Sequence, residues 1–408
     1  VKVDPSSVDL VEGLKPTTSP KFPVFIFVVD SLRRDYLSPY NSKVQFTPAI
    51  EQFSHDSVKF ENAFTHYGGT GLSEPSIWVG GLMFHKQYIQ PFAPMNALEK
   101  LLTTDGYKEL VSKDSILANI LDPKRFESGS AVDVDENHAN VAYDFCETAE
   151  SLKARLTSPV SPLFVYAQPQ NIHISVIQRE GAKAIDSGDY GDFYSPYASR
   201  LARVDRCFGD FMGFLKAKGL YDNSLIVLTS DHGDSLGEEG RWGHAYTIYP
   251  EIVKIPLLVH LPQSERSRMA EGKLYADVKA PAFSTDITPS LYYLLGHGLS
   301  RPDPLHGRPL FTATSQEQAP YAQKDYWIAA SYGAVYATLS GDGKSMLVSD
   351  ASEYKDYALS MDSPRAHAPD PAAQSKSRER IRAGIDRIGA FYHFGPAQHP
   401  VPQATSSR

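Results

Sequence analysis

The chain has 408 residues, 42% hydrophobic and 22% charged, with 28 Gly and 29 Pro. That composition lies near the globular average and excludes collagen-like, coiled-coil and wholly disordered classes. Forty basic against 48 acidic residues leave a net charge of −8, which excludes a general nucleic-acid surface and requires any anion site to be built locally. At about 150 residues per domain the length predicts two or three domains, or one large α/β domain with a small appendage.

Residues 1–21 are polar and carry Pro5, Pro16 and Pro20, the composition of a linker. The chain begins at Val1 without a charged-then-apolar signal segment, which suggests an excised or processed portion of something longer. The longest apolar run, Phe22 to Val29, is far short of the ~18–20 residues that span a bilayer and reads as a buried strand. With Leu163–Ala167, Leu225–Thr229 and Pro256–Val259 it forms a set of near-continuous apolar runs separated by helix-like stretches. This is the pattern of an α/β fold with a mostly parallel central sheet covered on both faces.

The spacing predicts helices over 47–57, opened by Thr47-Pro48, over 197–218, and over 284–295 with Asp286 in its first turn. Leu201, Val204, Phe208, Phe211 and Leu215 make the apolar stripe of the second, and Gly219 stops it. A polar loop over 178–194 could rim a site. After about residue 305 short antiparallel strands are expected at 326–331, 334–339 and 345–349, the last two joined by Gly341-Asp342-Gly343. Residues 311–365 therefore read as a small C-terminal β subdomain, and 366–408 as a helix from about 377 followed by a mobile tail. Cys146 and Cys207 are too few for a disulfide scaffold; they can form one bridge or stand as two buried thiols, the second being the plainer reading.

Four segments place polar or ionisable groups where apolar strands end, the position at which open α/β sheets hold ligands. In the first, Asp30 ends the strand 24–29 and is either a hard-cation ligand or a helix N-cap. In the second, Asp231 and His232 follow the strand 225–229 and can reach one ion, with Gly233 letting the backbone turn close beneath, or they form a capped turn. In the third, Gly68, Gly69 and Gly71 surround Thr70, a hydroxyl that could serve as an activated nucleophile at the mouth of a helix or sit in a plain Gly-rich turn. The fourth comprises His173 and His244, imidazoles able to assist a transferring or leaving oxygen, although a lone His is as often a surface or core residue.

Asp30-Ser31-Leu32-Arg33, Thr47-Pro48-Ala49-Ile50, Val58–Phe64, Thr229–Gly240, Ile255-Pro256-Leu257-Leu258, Asp286–Leu291 and His306-Gly307-Arg308-Pro309-Leu310 occur in order. Together they resemble the sulfatase-type catalytic domain of the alkaline phosphatase superfamily, over roughly residues 22–310. The resemblance implies that fold, with the strand-end acid at Asp30, the nucleophile at Thr70 and the later metal pair at Asp231 and His232. Thr70 is a departure, because sulfatases place there a Cys or Ser that becomes formylglycine, and threonine cannot. Glu74 stands where the motif has Arg, Ser31 replaces a second acid, and the Gly-Lys-Trp-His signature expected after Gly106-Tyr107 is absent. The set of Asp, Thr, Asp and His instead resembles the branch with phosphoethanolamine and phosphoglycerol transferases, lipoteichoic acid synthases and phosphonate or phosphodiester hydrolases, although the transferases usually carry Glu at the Asp30 position.

The resemblance implies one divalent metal ion bound by Asp30, Thr70, Asp231 and His232, with Zn or Mn favoured by the mixed donors and Ca or Mg as alternatives. His173 and His244 are the expected catalytic helpers, and Arg33 and Arg241 the expected substrate-binding residues. The expected substrate is an anionic phosphate ester attacked by Thr70. A sulfate-ester hydrolase working without formylglycine and an inactive envelope domain that binds lipid or protein are the alternatives. By resemblance alone, the setting is the bacterial cell envelope, with a membrane lipid as a candidate partner and an anchor outside this chain.

Overall fold

The computed structural model describes residues 9–83, 92–122, 132–136, 144–156, 162–300 and 302–392. Its centre is a seven-stranded sheet in the order Val58–Lys59, Leu257–His260, Leu225–Thr229, Val24–Val28, Leu163–Ala167, Lys108–Lys113, Val132–Glu136. Neighbouring strands are parallel except at Leu257–His260, which runs antiparallel to both of its partners. The reason is the connection: residues 230–256 contain no long crossover helix to carry the chain back to the start of the sheet, so it re-enters in the opposite direction.

The central strands are apolar throughout because both faces are buried. Phe25, Phe27 and Val29 point to one layer and Val24, Ile26 and Val28 to the other. The first set meets Phe145 of the helix Phe145–Arg155 and Phe208 and Phe211 of the helix Ser195–Ala217, with Phe27 ring centroids 5.5, 6.1 and 5.7 Å from these three. The second set lies in one core with Trp78, Leu98, Leu101 and Leu291 from the helices Thr70–Val79, Ala97–Thr104 and Ile287–Leu294. Burying each large apolar side chain contributes about 1.5–3 kcal/mol, so the interleaved layers fix where the strand ends lie.

Cys146 and Cys207 sit on the facing helices 145–155 and 195–217 and are bonded to each other, with Cα atoms 5.2 Å apart. The reading of two buried thiols is thereby replaced by one bridge, which helix packing makes available across 61 residues of sequence.

The C-terminal region is a five-stranded antiparallel sheet, Asp325–Ala329, Val335–Ser340, Ser345–Asp350, Lys355–Ser360 and Ala366–His367, two strands more than the turn signals alone suggest. Ile328, Leu339, Met346 and Val348 share a core with Phe64, Ile248, Ile252 and Phe283 from the main body. The helix Pro371–Phe391, six residues longer at its start than predicted, packs on the sheet through Thr338 Oγ1 and Ser377 Oγ (2.7 Å), and Gln374 Nε2 donates to Val348 O (3.2 Å). Asp370 caps it by accepting from Ala373 N. Two backbone hydrogen bonds, Gly68 N to Ala329 O (3.0 Å) and Ala329 N to His66 O (2.8 Å), tie the sheet edge to the segment leading into Thr70.

Residues 9–21 lie along the body instead of standing free: Leu10 is buried in the main core, Thr17 Oγ1 donates to Leu295 O, and Lys21 pairs with Asp105 at 2.7 Å. The tail after Gly395, its last dozen residues expected to be mobile, and residues 1–8 of the linker lie outside the described residues. Among the described residues no helix is long and apolar enough to cross a membrane.

Replacing Cys146 and Cys207 together by Ser is expected to lower the free energy of unfolding by about 2–4 kcal/mol, read from urea denaturation. A change within a few tenths of a kcal/mol would show that the bridge does not constrain the unfolded chain.

Candidate active site

The register of the two central strands pairs Val28 with Thr229. Two residues past each strand end this alignment brings Asp30 and Asp231 together, with His232 next in the chain. One ligand atom from each of the three falls within 4.8 Å of the others, and all three side chains are buried. His232 Nε2 lies 3.3 Å from Asp231 Oδ2 and 3.7 Å from Asp30 Oδ1.

The local backbone is held by its own polar side chains. Ser230 Oγ donates within reach of Val29 O (2.8 Å) and His232 O (2.5 Å) and accepts from Leu32 N (2.9 Å), clamping the two strand-end turns together. Ser31 adopts a left-handed φ of 64°, which directs its N–H to Asp231 Oδ1 (3.2 Å) and its hydroxyl to Asp30 Oδ1 (3.0 Å). Gly233 admits no side chain, since a Cβ there would stand 2.1 Å from Glu251 O.

Thr70 opens the helix Thr70–Val79, so the Gly-rich segment is a helix entry and not a simple turn. Its half-buried Oγ1 is 3.0 Å from His232 Nε2. Gly69 is needed at the cap because a Cβ would lie 2.7 Å from Ser331 Oγ, which donates to Gly69 O at 2.8 Å. The helix N-terminus carries a partial positive charge into the site.

His232 Nδ1 lies 2.9 Å from Gly233 O, a contact that puts its proton on Nδ1 and leaves the Nε2 lone pair facing two carboxylates and the Thr70 hydroxyl. Burial pushes the His232 pKa well down, and His244 adds to this. Burial likewise pushes Asp30 up, reinforced by Asp231 and Asp234, and pushes Asp231 up to about 6 against hydrogen bonds from Thr70 and Ser31 N–H. A lone pair and two carboxylates converging in a dry site repel one another, and a divalent cation accepting all three relieves this. The donor set therefore fits a metal ion.

Two more imidazoles stand beside it. His244 lies 4.0 Å ring to ring from His232 and 4.9 Å from His173. His244 Nδ1 is 2.5 Å from Asp234 Oδ1, whose other oxygen accepts from Ile174 N. Burial opposes the charged ring, but Asp234 prevails and raises the His244 pKa. His173 caps the helix Ile174–Arg179, its Nδ1 accepting from Ser175 N (3.1 Å), so the ring proton sits on Nε2. Burial takes its pKa to about 4, which keeps it neutral at pH 7.

The structure thus brings together Asp30, Thr70, His173, Asp231, His232 and His244. It does not bring Arg33 or Arg241 to them as open cations. Arg33 is buried and bonded to Asp35 (2.6 Å), Glu238 (2.5 Å) and Asp234 O, while Arg241 pairs with Glu251 (3.0 Å) and lies over the Tyr249 ring. Their sequence positions beside the motifs could not reveal these carboxylate partners. Glu74 is fully buried, and its carboxyl is pushed up by burial and then by Asp114, Asp231 and Asp30.

The sequence signals singled out the neighbouring Asp231 and His232 and not Asp234, whose partners His244 and Ile174 come from other segments. They also passed over Gln168, whose Nε2 donates to Asp231 Oδ2 (3.1 Å) and which follows the strand Leu163–Ala167 directly. That strand's place beside Val24–Val28 was the missing information.

The fold is that of the alkaline phosphatase superfamily, whose members are enzymes that act on sulfate or phosphate esters and use a divalent metal ion. Residues 23–297 match the Sulfatase family model, and the chain belongs to that family. Among curated proteins it is 31% identical over 102 residues to an N-acetylglucosamine-6-O-sulfatase of Bacteroides thetaiotaomicron, covering 25% of this chain and 18% of that protein. It is 24% identical over 199 residues to the inner membrane protein YejM of Salmonella typhimurium, covering 48% and 30%. The chain therefore spans less than a third of the length of either relative. Among solved structures, a phosphonate monoester hydrolase from Silicibacter pomeroyi superposes with a TM-score of 0.61 at 17% identity, covering 90% of this chain and 95% of that one, a likeness of fold.

Asp234→Asn is expected to lower the His244 pKa, followed by the ring proton shifts in an NMR titration. Because the folded-state pKa is raised, the stabilisation from this pair is fully present below the ordinary histidine value of 6.5 and is lost as pH rises through the folded value. The stability gap between wild type and variant should close over that interval; a gap independent of pH would separate His244 from Asp234.

Proposed function

We propose that the protein cleaves or transfers phosphate esters, either phosphodiesters or phospholipid head groups, through a covalent intermediate on Thr70. The observation that carries this reading is the Thr70 hydroxyl, 3.0 Å from His232 Nε2 at a helix N-terminus and beside the buried Asp30, Asp231 and His232. Those three residues and Thr70 would hold one divalent ion, with Zn or Mn favoured by the oxygen and nitrogen donors and Ca or Mg as alternatives. When bound, the ion neutralises the carboxylates and lowers the pKa of the attacking hydroxyl.

Thr70 releases its hydroxyl proton to solvent and its Oγ forms a bond to phosphorus while the bond from phosphorus to the leaving oxygen breaks. His244, whose pKa Asp234 raises, gives that oxygen a proton from its charged form, so a neutral alcohol departs. His173, neutral and carrying its proton on Nε2, donates to a non-bridging oxygen. Water or an acceptor alcohol then attacks phosphorus and surrenders a proton to His244, the bond from phosphorus to Thr70 Oγ breaks, and Thr70 takes a proton back from solvent. Protonation of Glu74, which burial favours, leaves the helix without an added charge beneath the nucleophile. Arg33 and Arg241, bound to carboxylates, act on the shape of the turn more than on substrate.

Threonine cannot supply formylglycine, which favours phosphate esters over the sulfatase route. The sulfate-ester reading keeps a place because one relative is an N-acetylglucosamine-6-O-sulfatase. A cell-envelope setting is supported by the relative that is an inner membrane protein and by the Cys146–Cys207 bridge, since disulfides persist in oxidising compartments.

Intact-protein mass spectrometry after incubation with bis-p-nitrophenyl phosphate and, separately, a phospholipid pool should give an adduct that is absent in Thr70→Ala. Turnover in that variant is expected to fall at least ~10³-fold, about 4 kcal/mol. Full turnover by Thr70→Ala would overturn the reading, and a clean preference for p-nitrophenyl sulfate would move it to sulfate esters. Elemental analysis should find one divalent ion per chain, and Asp231→Asn should weaken its binding by more than the ~10–100-fold typical of an outer partner.

A further inference from the structure

A second cavity opens at the seam between the main body and the C-terminal sheet, between the helix Pro371–Phe391, the strand Asp325–Ala329, residues 304–305 and His66. It measures about 330 Å3, within the ~300–1,000 Å3 typical of small-molecule sites. None of Asp30, Thr70, His173, Asp231, His232 or His244 lines it. Helical spacing sets Arg380, Gly384 and Arg387 on one face of the helix, and all three border the cavity. With Lys324 these supply three cations against one acid, Asp325, in a chain whose net charge is −8. Arg380 takes Asp325 at 2.7 Å, so among the described residues Arg387 and Lys324 have no carboxylate partner.

The walls add groups whose hydrogen bonding is incomplete. Trp327 Nε1 is buried without an acceptor, although an indole N–H in a folded core normally finds one. Gly384 keeps the helix backbone close to this indole, since a Cβ there would stand 2.7 Å from its Cδ1 and 3.1 Å from its Nε1. The His66 ring lies flat on Phe283, with centroids 3.9 Å apart and planes at 7°. Its Nδ1 is 2.6 Å from Trp327 O, which puts the proton on Nδ1, and burial takes its pKa to about 4. At pH 7 the other nitrogen, Nε2, is therefore an acceptor with no partner among the described residues. A smaller chamber of about 150 Å3 adjoins at His66, Leu305 and Tyr326, and in its wall Thr285 Oγ1 and His306 Nε2 are also buried without partners.

We infer that this cavity binds a small organic dianion that also carries a hydroxyl group. Arg387 and Lys324 match its two charges, the Trp327 N–H is a donor for one of its oxygens, and His66 Nε2 accepts from its hydroxyl. Cations spread over a solvated helix face need no ligand, but these border a concavity in which acid is outnumbered and a buried donor stands unused. A lipid surface would call for a broad apolar or basic face and not an indentation of this size. A phosphate monoester and a dicarboxylate bring the same pair of charges, and both fit the chemistry of the walls. The inference holds whatever reaction Thr70 performs, because the two sites share no residue.

The chain has three tryptophans, so three indole N–H signals are expected in a nitrogen-15 correlation spectrum, and the one missing from Trp327→Phe is that of Trp327. In the metal-loaded full chain, malate or 2-hydroxyethyl phosphate should move that signal to saturation with a Kd below about 1 mM. The tighter of the two identifies the anion as carboxylate or phosphate. Succinate, which keeps the charges and lacks the hydroxyl, should bind about tenfold more weakly than malate. Arg387→Ala, at an exposed position where folding is not at stake, should weaken the better probe about tenfold, and Arg387→Lys should keep most of the affinity. A Trp327 signal that neither probe moves at about 10 mM, equal binding by Arg387→Ala, equal binding of succinate, or a shift confined to Trp242 beside the candidate site would each overturn the inference.

Discussion

Two carboxylates buried side by side are the constraint around which the rest of this protein is arranged. Asp30 and Asp231 are placed together by the register of adjacent parallel strands, and each strand is fixed by aromatic and aliphatic layers on both of its faces. In a dry environment neither acid is comfortable when ionised, and the neighbouring imidazole of His232 directs a lone pair at both. Hydrogen bonds from Ser31 and Gln168 compensate in part. A site built at such cost persists because the surrounding packing leaves it no alternative, and its chemistry suits a cation.

The nucleophile candidate reaches this cluster from a different part of the chain. Thr70 depends on the helix Thr70–Val79 packing beneath the sheet and on the loop before it being pinned to the edge of the C-terminal sheet at Ala329. The C-terminal sheet shares a core with Phe64, Ile248 and Phe283 and reaches the site directly through Ser331 and Gly69. It therefore supports the candidate site directly, through a shared core and the Ser331–Gly69 hydrogen bond. The same junction carries the exposed, mutually stacked Tyr246 and Tyr332 rings, joined to it by backbone hydrogen bonds at Ala245.

The three histidines divide by environment. His232 is turned by Gly233 O so that its Nε2 lone pair faces the carboxylates, the His244 pKa is raised by Asp234, and His173 is kept neutral by burial. Neighbouring side chains of one kind acquire separate characters because only His244 is hydrogen-bonded to Asp234, whereas burial dominates at His173 and His232.

Much of this was legible in the sequence. Continuous apolar runs announced strands buried on both faces, and Asp30, Asp231 and His232 stood where those runs ended, so their convergence followed from the geometry of parallel sheets. The helix stripe from Leu201 to Leu215 and the hairpin at Gly341 were equally local signals. Tertiary structure alone decided the direction of Leu257–His260, the bridge between Cys146 and Cys207, and the hydrogen bonds of Asp234 and Gln168, because each depends on which elements become neighbours. It also decided that Arg33 and Arg241 are held by carboxylates. A residue's charge is written in the sequence, but its partner is chosen by packing, and only the pair determines what that charge can do.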